Sequence, residues 1–255
     1  VHPDVRKMLL TAKAYAEGGR ALSIYSTLLL DKALHHPDEK VRKDSDDLVA
    51  LLTPIVKAFI TDNGFAATNH AMQVFGGHGY IHETGMEQYV RDARINLIYE
   101  GTNTVQSLDL LGRKVLHNQG ATLKKFGKQI EALIREEGVN EKMSEFINPL
   151  AVLADQMTKL TTEIGFKSFV NPDEVGGASV DYLRVAGHLV FGYFFARMAS
   201  VSLKKIAEGS QDPFYTAKLQ TARFYFARLF PETASLMRTA RSGVGNLLAT
   251  DEALA

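Results

Sequence analysis

The apolar side chains of this chain recur at intervals of three and four residues along nearly its whole length. Hardly any segment alternates apolar and polar residues with the two-residue period of a β-strand. Since the longer spacing places apolar side chains on one face of a helix, the sequence predicts an all-α protein. The predicted helices cover residues 4–34, 46–75, 86–95, 104–116, 121–137, 141–166, 179–208, 213–229 and 231–247.

Local changes of composition predict where these helices are divided. Residues 35–47 are polar and charged, which predicts a solvated turn between two long antiparallel helices, the start of a bundle. The polar stretch 118–120 predicts a boundary between an antiparallel helical-bundle domain, 1–118, and a second helical domain, 119–255. Residues 171–177, rich in Asn, Pro and Gly, predict a loop. Gly18-Gly19 predicts an interruption of the first helix, either as a kink or as a close approach of another helix or a ligand.

Charge and cysteine content exclude several classes of function. Lys+Arg and Asp+Glu number 29 each, so the chain lacks the basic excess of a nucleic-acid-binding protein. It has no cysteine, which excludes disulfides and thiolate metal sites, and a reducing compartment is the natural expectation. No unbroken run of about 18 apolar residues occurs, so we expect no membrane span. The chain begins Val1-His2-Pro3 without a methionine, and we expect it to be a fragment or a processed product.

Two segments of the first domain combine glycine with polar side chains. Residues 76–79, Gly-Gly-His-Gly, follow the second predicted helix, where glycine ends a helix and lets a ligand approach the backbone closely. Residues 99–103, Tyr-Glu-Gly-Thr-Asn, predict a loop just before a helix, where free N–H groups bind negative charge. Taken alone, a simple helix stop at Gly76-Gly77 and plain N-caps at Thr102 and Asn103 explain these segments more simply.

Three blocks in this region resemble the C-terminal helical domain of acyl-CoA dehydrogenases, namely residues 73–81, 91–95 and 98–103, the last with Gln106. The resemblance covers about residues 3–117. Later residues resemble, in overall plan, the extra helical domain of the long bacterial subgroup that includes enzymes acting on 3-methylthiopropanoyl-CoA. The family's N-terminal helical domain, its middle β-domain and the first helix of its C-terminal bundle have no counterpart in this sequence.

The resemblance implies roles for eight residues. Glu100 matches the catalytic base, which removes the α-proton of an acyl-CoA thioester while the β-hydrogen leaves as hydride to FAD. Burial against flavin and acyl chain would make it a stronger base. Tyr99 and Gly101 match positions that contact the acyl-CoA. The matches to FAD contacts are Thr102 and Thr104, near the helix start, and Gln73, Gly76 and Gly77, which reach the FAD of a neighbouring subunit.

The resemblance also implies partners for the full-length protein. It predicts a cytoplasmic bacterial homo-oligomer, dimer or tetramer, that passes electrons to an electron-transferring flavoprotein. Acyl-CoA oxidases, which pass electrons to oxygen, belong to the same family, so the acceptor stays open. The alternative is a non-catalytic oligomerisation or scaffold module of the same fold, against which the presence of Glu100 argues. We expect the fragment by itself to bind no FAD and to be inactive.

Other polar clusters in the chain are given structural interpretations. His78, His82 and Glu83 superficially suggest a metal site, but they lie on a loop without a fourth ligand, and we expect no metal. Arg91, Asp92 and Arg94 are expected to form a structural ion-pair network.

Overall fold

The computed structural model describes residues 2–249, and this part of the chain is built from helices and contains no strand. Short 3₁₀ turns lie at Gly76–Gly79, His82–Thr84 and Glu141–Met143, and π-helical segments extend two helices over Asp109–Leu116 and Tyr225–Leu229. The predicted all-α class is confirmed. The α-helices are α1 (Pro3–His35), α2 (Glu39–Val74), α3 (Met86–Ile95), α4 (Asn103–Leu108), α5 (Ala121–Glu137), α6 (Ser144–Val170), α7 (Asp173–Ala207), α8 (Pro213–Phe224), α9 (Glu232–Arg241) and α10 (Gly245–Leu248).

A turn of only three residues joins α1 to α2, which pack along each other as an antiparallel pair. The Asp38 carboxylate caps α2 by accepting a hydrogen bond from the Lys40 backbone N–H at 2.7 Å. Arg42 braces the turn by donating to the carbonyl of His36 at 2.7 Å. The predicted turn over residues 35–47 is therefore wrong beyond Asp38. The first turns of a helix can also be rich in polar residues, because one side of the helix faces solvent. Polar composition alone therefore does not distinguish these turns from a loop.

The glycine pair of α1 lies inside an uninterrupted helix, so the predicted interruption is wrong. The alternative of a close helix approach is confirmed. A Cβ atom on Gly18 would lie 2.4 Å from the ring of Phe191 on α7, much closer than van der Waals contact. Gly18 therefore lets the two helices approach to a distance at which any larger residue would displace the aromatic ring.

The long helix α7 begins six residues earlier than its predicted start at residue 179. Only Asn171 and Pro172 separate it from α6, so the predicted loop over 171–177 is wrong beyond Pro172. The Asn171 side chain accepts from the Asp173 backbone N–H at 3.1 Å at the beginning of α7. Gly177 packs against Val244, and a Cβ atom on Gly177 would lie 3.3 Å from the valine Cβ. This glycine therefore belongs to a close packing contact within the helix and does not mark a loop.

A single apolar core joins residues from both sides of the predicted domain boundary. Phe59 on α2 lies edge-to-face against Phe191 on α7, with ring centroids 4.8 Å apart, and both side chains are fully buried. Helix α7 is buried on nearly all sides over its middle turns. The boundary near residue 118 stays a prediction, and the outer ends of the two predicted domains, Val1 and residues 250–255, lie outside the described residues.

Helix α2 is long and apolar enough to span a membrane by length and composition, with a mean hydropathy of 1.3 over its most apolar window. Within the fold, 44% of that window is buried. The core helix of a globular protein meets the same criteria, so no membrane assignment follows from this property.

Candidate active site

Glu100 lies in the loop between α3 and α4 and has a left-handed backbone, with φ of 54°. Non-glycine residues adopt this conformation uncommonly, and it costs on the order of 1–2 kcal/mol. The preceding turn is regular, since the Tyr99 N–H donates to the carbonyl of Ile95 at 3.1 Å. Glu100 is exposed, and its own N–H donates no hydrogen bond within residues 2–249. The loop therefore presents a carboxylate and a free N–H from one strained residue.

The residues that follow Glu100 hold the loop against the start of α4. Gly101 has φ of 84°, and a Cβ atom there would lie 2.8 Å from the side-chain nitrogen of Gln106. The Thr102 hydroxyl caps α4 by accepting from the Val105 N–H at 3.3 Å. Thr104 lies exposed in the first turn. The N-cap interpretation of Thr102 is confirmed, and the hydroxyl hydrogen of its capping side chain remains available to another partner.

Asn103 anchors this loop to α2 rather than capping the helix, so its interpretation as a plain N-cap is wrong. Its side-chain oxygen accepts from Lys57 at 2.7 Å, and its NH₂ group donates to Asp62 at 2.7 Å and to Thr61 at 3.1 Å. Its backbone N–H donates to Leu97 across the loop at 3.1 Å. No signal in the sequence indicates this role. Lys57 and Asp62 precede Asn103 by more than forty residues, and no local pattern marks their proximity.

The second motif lies at the C-terminal end of α2. After the helix ends at Val74, Gly76 takes a φ of 60°, which confirms the predicted glycine stop. Gln73, Gly76 and Gly77 are exposed, and a Cβ atom on Gly77 would meet nothing within 4 Å. Eleven residues separate Gln73 from Asp62, or about 16 Å along the helix axis. The turn therefore lies well away from the point on α2 at which Asn103 anchors the Glu100 loop.

The remaining polar clusters near the motifs have structural roles. Within the described residues, no group of three or more His, Asp or Glu side chains is arranged to hold a metal ion. The predicted ion-pair network of Arg91, Asp92 and Arg94 is wrong, because these side chains make separate contacts. Arg91 lies 3.9 Å from Glu87, Asp92 accepts from Gln88 at 2.7 Å, and Arg94 lies over the ring of Phe65 at 5.8 Å.

Large apolar side chains surround both motifs on the surface. Each is more than 40% exposed, whereas the apolar side chains of α7 that face the core are buried. Contiguous exposed apolar surface is characteristic of an interface. The exposed side chains are Phe75, Tyr80, Ile81, Tyr89, Ile95, Ile98, Tyr99, Val105 and Leu108.

A partly buried polar cluster lies in the second half and is marked by no local pattern in the sequence. Arg184 on α7 donates two hydrogen bonds to the Glu232 carboxylate, at 2.6 and 2.9 Å. His188 is fully buried and joins Glu232 at 3.1 Å and the hydroxyl of Tyr225 at 2.9 Å. Burial alone would raise the pKa of Glu232, but hydrogen bonds from His188 and Arg184 lower it to about 2. Burial lowers the pKa of His188.

Comparison with known protein families accounts for nearly the whole chain. The family described as "Acyl-CoA dehydrogenase, C-terminal domain" matches residues 1–116. The family described as "Acetyl-CoA dehydrogenase C-terminal like" matches residues 126–251. The chain belongs to the acyl-CoA dehydrogenase family and corresponds to its C-terminal helical region.

Two curated relatives match almost all of the chain. The 3-methylmercaptopropionyl-CoA dehydrogenase of Ruegeria pomeroyi is 34% identical over 242 residues, which cover 92% of this chain and 40% of that protein. The broad-specificity linear acyl-CoA dehydrogenase FadE5 of Mycobacterium tuberculosis is 31% identical over 265 residues, which cover 99% of this chain and 43% of that protein. The chain therefore spans less than half the length of either relative.

Solved structures share the fold at lower sequence identity. An acyl-CoA dehydrogenase complexed with FAD from Bacillus anthracis superposes with a TM-score of 0.65 at 18% identity, covering 94% of this chain and 42% of that one. Caenorhabditis elegans ACDH-11 in complex with C11-CoA gives 0.64 at 20% identity, covering 85% and 34%. At these identities the likeness supports the helical fold alone.

Proposed function

We propose that this chain is the C-terminal part of an FAD-dependent acyl-CoA dehydrogenase and that Glu100 is its catalytic base. The observation that carries the proposal is the strained, exposed glutamate with a free backbone N–H on a loop anchored at both ends. Strain of this kind persists where the surrounding structure holds it in place, and it is concentrated at functional sites. The reaction would be α,β-desaturation of an acyl-CoA thioester.

The chemistry requires both groups that Glu100 presents. The α-proton of a thioester is a weak acid, so its removal needs a carboxylate close to the carbon and hydrogen-bond donors at the thioester oxygen, where negative charge develops. The carboxylate would take the proton, and the free N–H of the same residue would donate to that oxygen. FAD, when bound, supplies the acceptor for the β-hydride.

The residues present are suited to hold such a cofactor. Thr102 and Thr104 place exposed hydroxyls beside the loop, and the space at Gly77 is open to a bound group. The family resemblance assigns Gln73, Gly76 and Gly77 to the FAD of a neighbouring subunit in a homo-oligomer, and the position of Gln73, about 16 Å along α2 from Asp62, fits a contact separate from the Glu100 loop. The exposed apolar side chains around both motifs fit burial by further domains and by another subunit.

The names of the relatives support the substrate class, and the family resemblance supports the acceptor and the setting. We propose an acyl-CoA substrate contacted by Tyr99 and Gly101, an electron-transferring flavoprotein as acceptor, and a cytoplasmic bacterial location without a membrane span. We further propose that residues 1–118 and 119–255 are two helical domains joined by the shared core. A non-catalytic scaffold module would have no use for a strained glutamate at this position. The strain at Glu100 therefore favours the enzyme over the scaffold alternative.

The experiment is the Glu100→Gln substitution in the full-length, FAD-loaded protein. The amide keeps the shape of the side chain but cannot accept the proton, so flavin reduction by butyryl-CoA or 3-methylmercaptopropionyl-CoA should fall roughly 10²-fold or more. Flavin content and acyl-CoA binding should be nearly unchanged. Glu83→Gln is the matched control, since Glu83 is an exposed glutamate outside the loop. Reduction within about tenfold of wild type in Glu100→Gln would refute Glu100 as base.

A further inference from the structure

The side chain of Asn103 can occupy its site in only one orientation. Lys57 has only hydrogens to donate, and the ionised Asp62 carboxylate can only accept, so the amide oxygen must face Lys57 and the NH₂ group must face Asp62. Both of these bonds are 2.7 Å long. The NH₂ group also donates to Thr61 at 3.1 Å, and it lies 3.3 Å from the carbonyl of Ala58. Every polar atom of this amide is therefore engaged with α2.

The backbone of Asn103 ties the Glu100 loop to this anchor. Its N–H donates to Leu97, six residues earlier, which closes the loop that contains Glu100. Its carbonyl accepts from the buried Ser107 hydroxyl at 2.8 Å. Glu100, with its left-handed backbone, therefore lies in a loop whose two ends, Leu97 and Asn103, are hydrogen-bonded to each other. Freed from the anchor, the loop would relax toward conformations in which Glu100 is unstrained.

The charge on Asp62 fixes the direction of the Asn103 amide. Burial raises the pKa of Asp62, while the hydrogen bond from Asn103 and the positive charges of Arg184, Lys57 and Arg94 act in the opposite direction and favour the ionised form.

We propose that Asn103 is the positioning residue of the Glu100 loop and acts through its hydrogen bonds to Lys57 and Asp62 of α2. This inference rests on the proposed function, since it assigns a purpose to the geometry of Glu100. Loss of the anchor should lower kcat roughly 5- to 30-fold, a factor that corresponds to the strain energy of one left-handed residue. KM and flavin content should change little.

The first test exchanges two side chains in the full-length, FAD-loaded protein. Asn103→Asp removes the donor to Asp62 and places two carboxylates together, so kcat should fall. Adding Asp62→Asn restores one amide and one carboxylate in reversed order, with an acceptor still facing Lys57, and should recover most of the lost kcat. Asn140→Asp is the matched control, because Asn140 is an exposed N-cap at which aspartate serves equally well. No recovery in the double variant would overturn the proposal.

A second measurement separates this inference from the proposed function. Hydrogen exchange over residues 97–103 should rise about tenfold or more in Asn103→Asp and should stay at the wild-type value in Glu100→Gln. If Glu100→Gln abolishes turnover while Asn103→Asp keeps kcat within about twofold, the positioning role is overturned and the proposed function stands. If the wild-type protein shows no dehydrogenation, the proposed function fails and the anchor is tested by hydrogen exchange alone. Unchanged exchange over residues 97–103 in Asn103→Asp would then overturn the anchor.

Discussion

The two halves of the chain pack closely at Gly187 on α7. A Cβ atom there would lie 2.3 Å from two atoms of the Phe59 ring, where ordinary van der Waals contact begins at 3.4 Å. The ring cannot easily move away, because Phe59 is fully buried between Phe191, at 4.8 Å between ring centroids, and His188, at 5.0 Å. In Gly187→Ala one of the two helices or the ring must therefore shift by about 1 Å.

The expected cost of Gly187→Ala follows from two opposing effects. Overpacking of a well-packed core costs about 1–3 kcal/mol, and the enclosed ring places this site at the upper end. Alanine in a helix interior is about 1 kcal/mol more favourable than glycine, which offsets part of that cost. We expect a net loss of about 2 kcal/mol in the free energy of unfolding. Urea unfolding of the chain followed by circular dichroism measures it.

Gly176→Ala is the matched control on the same helix. Gly176 is exposed, and a Cβ atom there would meet nothing within 4 Å, so alanine should stabilise the chain by up to about 1 kcal/mol. In Gly187→Ala, a further Phe59→Leu substitution should restore part of the lost stability, because it removes ring atoms where the new methyl group lies. Equal stability of Gly187→Ala and wild type, or no coupling with Phe59→Leu, would refute the close packing of the two halves.

Acid should destabilise the chain through Glu232, whose pKa lies at about 2 against an ordinary value of 4.5. A lowered pKa gives stability that is present above pH 4.5 and lost as the pH falls toward 2; with over a third of the side chain exposed, it amounts to on the order of 1–2 kcal/mol. Unfolding of Glu232→Gln measured across that range should lose this pH dependence, and an unchanged dependence would contradict it. Gly77→Val should leave folding intact, since the space there is open, but should lower flavin stoichiometry and oligomer size together in the full-length protein; normal values of both would contradict the proposed subunit contact. Residues 1–255 alone should show helical circular dichroism without saturable FAD binding, because the few polar groups present cannot offset the roughly 4–15 kcal/mol lost on immobilising a ligand; low-micromolar binding by fluorescence quenching would contradict this.

Local signals, such as helical period and capping residues, predict the helices well in the parts of the chain that contain these signals. Helix α3 begins and ends at the predicted residues, Met86 and Ile95, and α5 occupies the predicted range. The sequence predicts the starts of α2 and α7 too late, because charged and glycine-containing segments resemble loops in composition. Packing against other helices outweighs composition in both cases, with a side-chain cap from Asp38 at the start of α2.

The candidate active site shows the same division between what local sequence predicts and what the fold adds. The motifs alone pointed to Glu100, its neighbours and the glycine turn, and their assigned roles stay predictions. Composition does not reveal that Glu100 adopts a left-handed conformation, since glutamate is not a residue that favours it. Nor does composition reveal that Asn103 anchors the loop instead of capping α4.

Local sequence is enough to predict the all-α class, most of the helices and the family, because helical period, capping residues and motifs are encoded within short stretches of chain. The contacts between distant stretches become visible only in the folded chain, among them Asn103 with Asp62, Gly18 with Phe191 and Arg184 with Glu232. The physical reason is that such contacts depend on how two helix surfaces meet. A helical period shows which face of a helix is apolar, but it does not show which helix covers that face or which polar side chains become buried together.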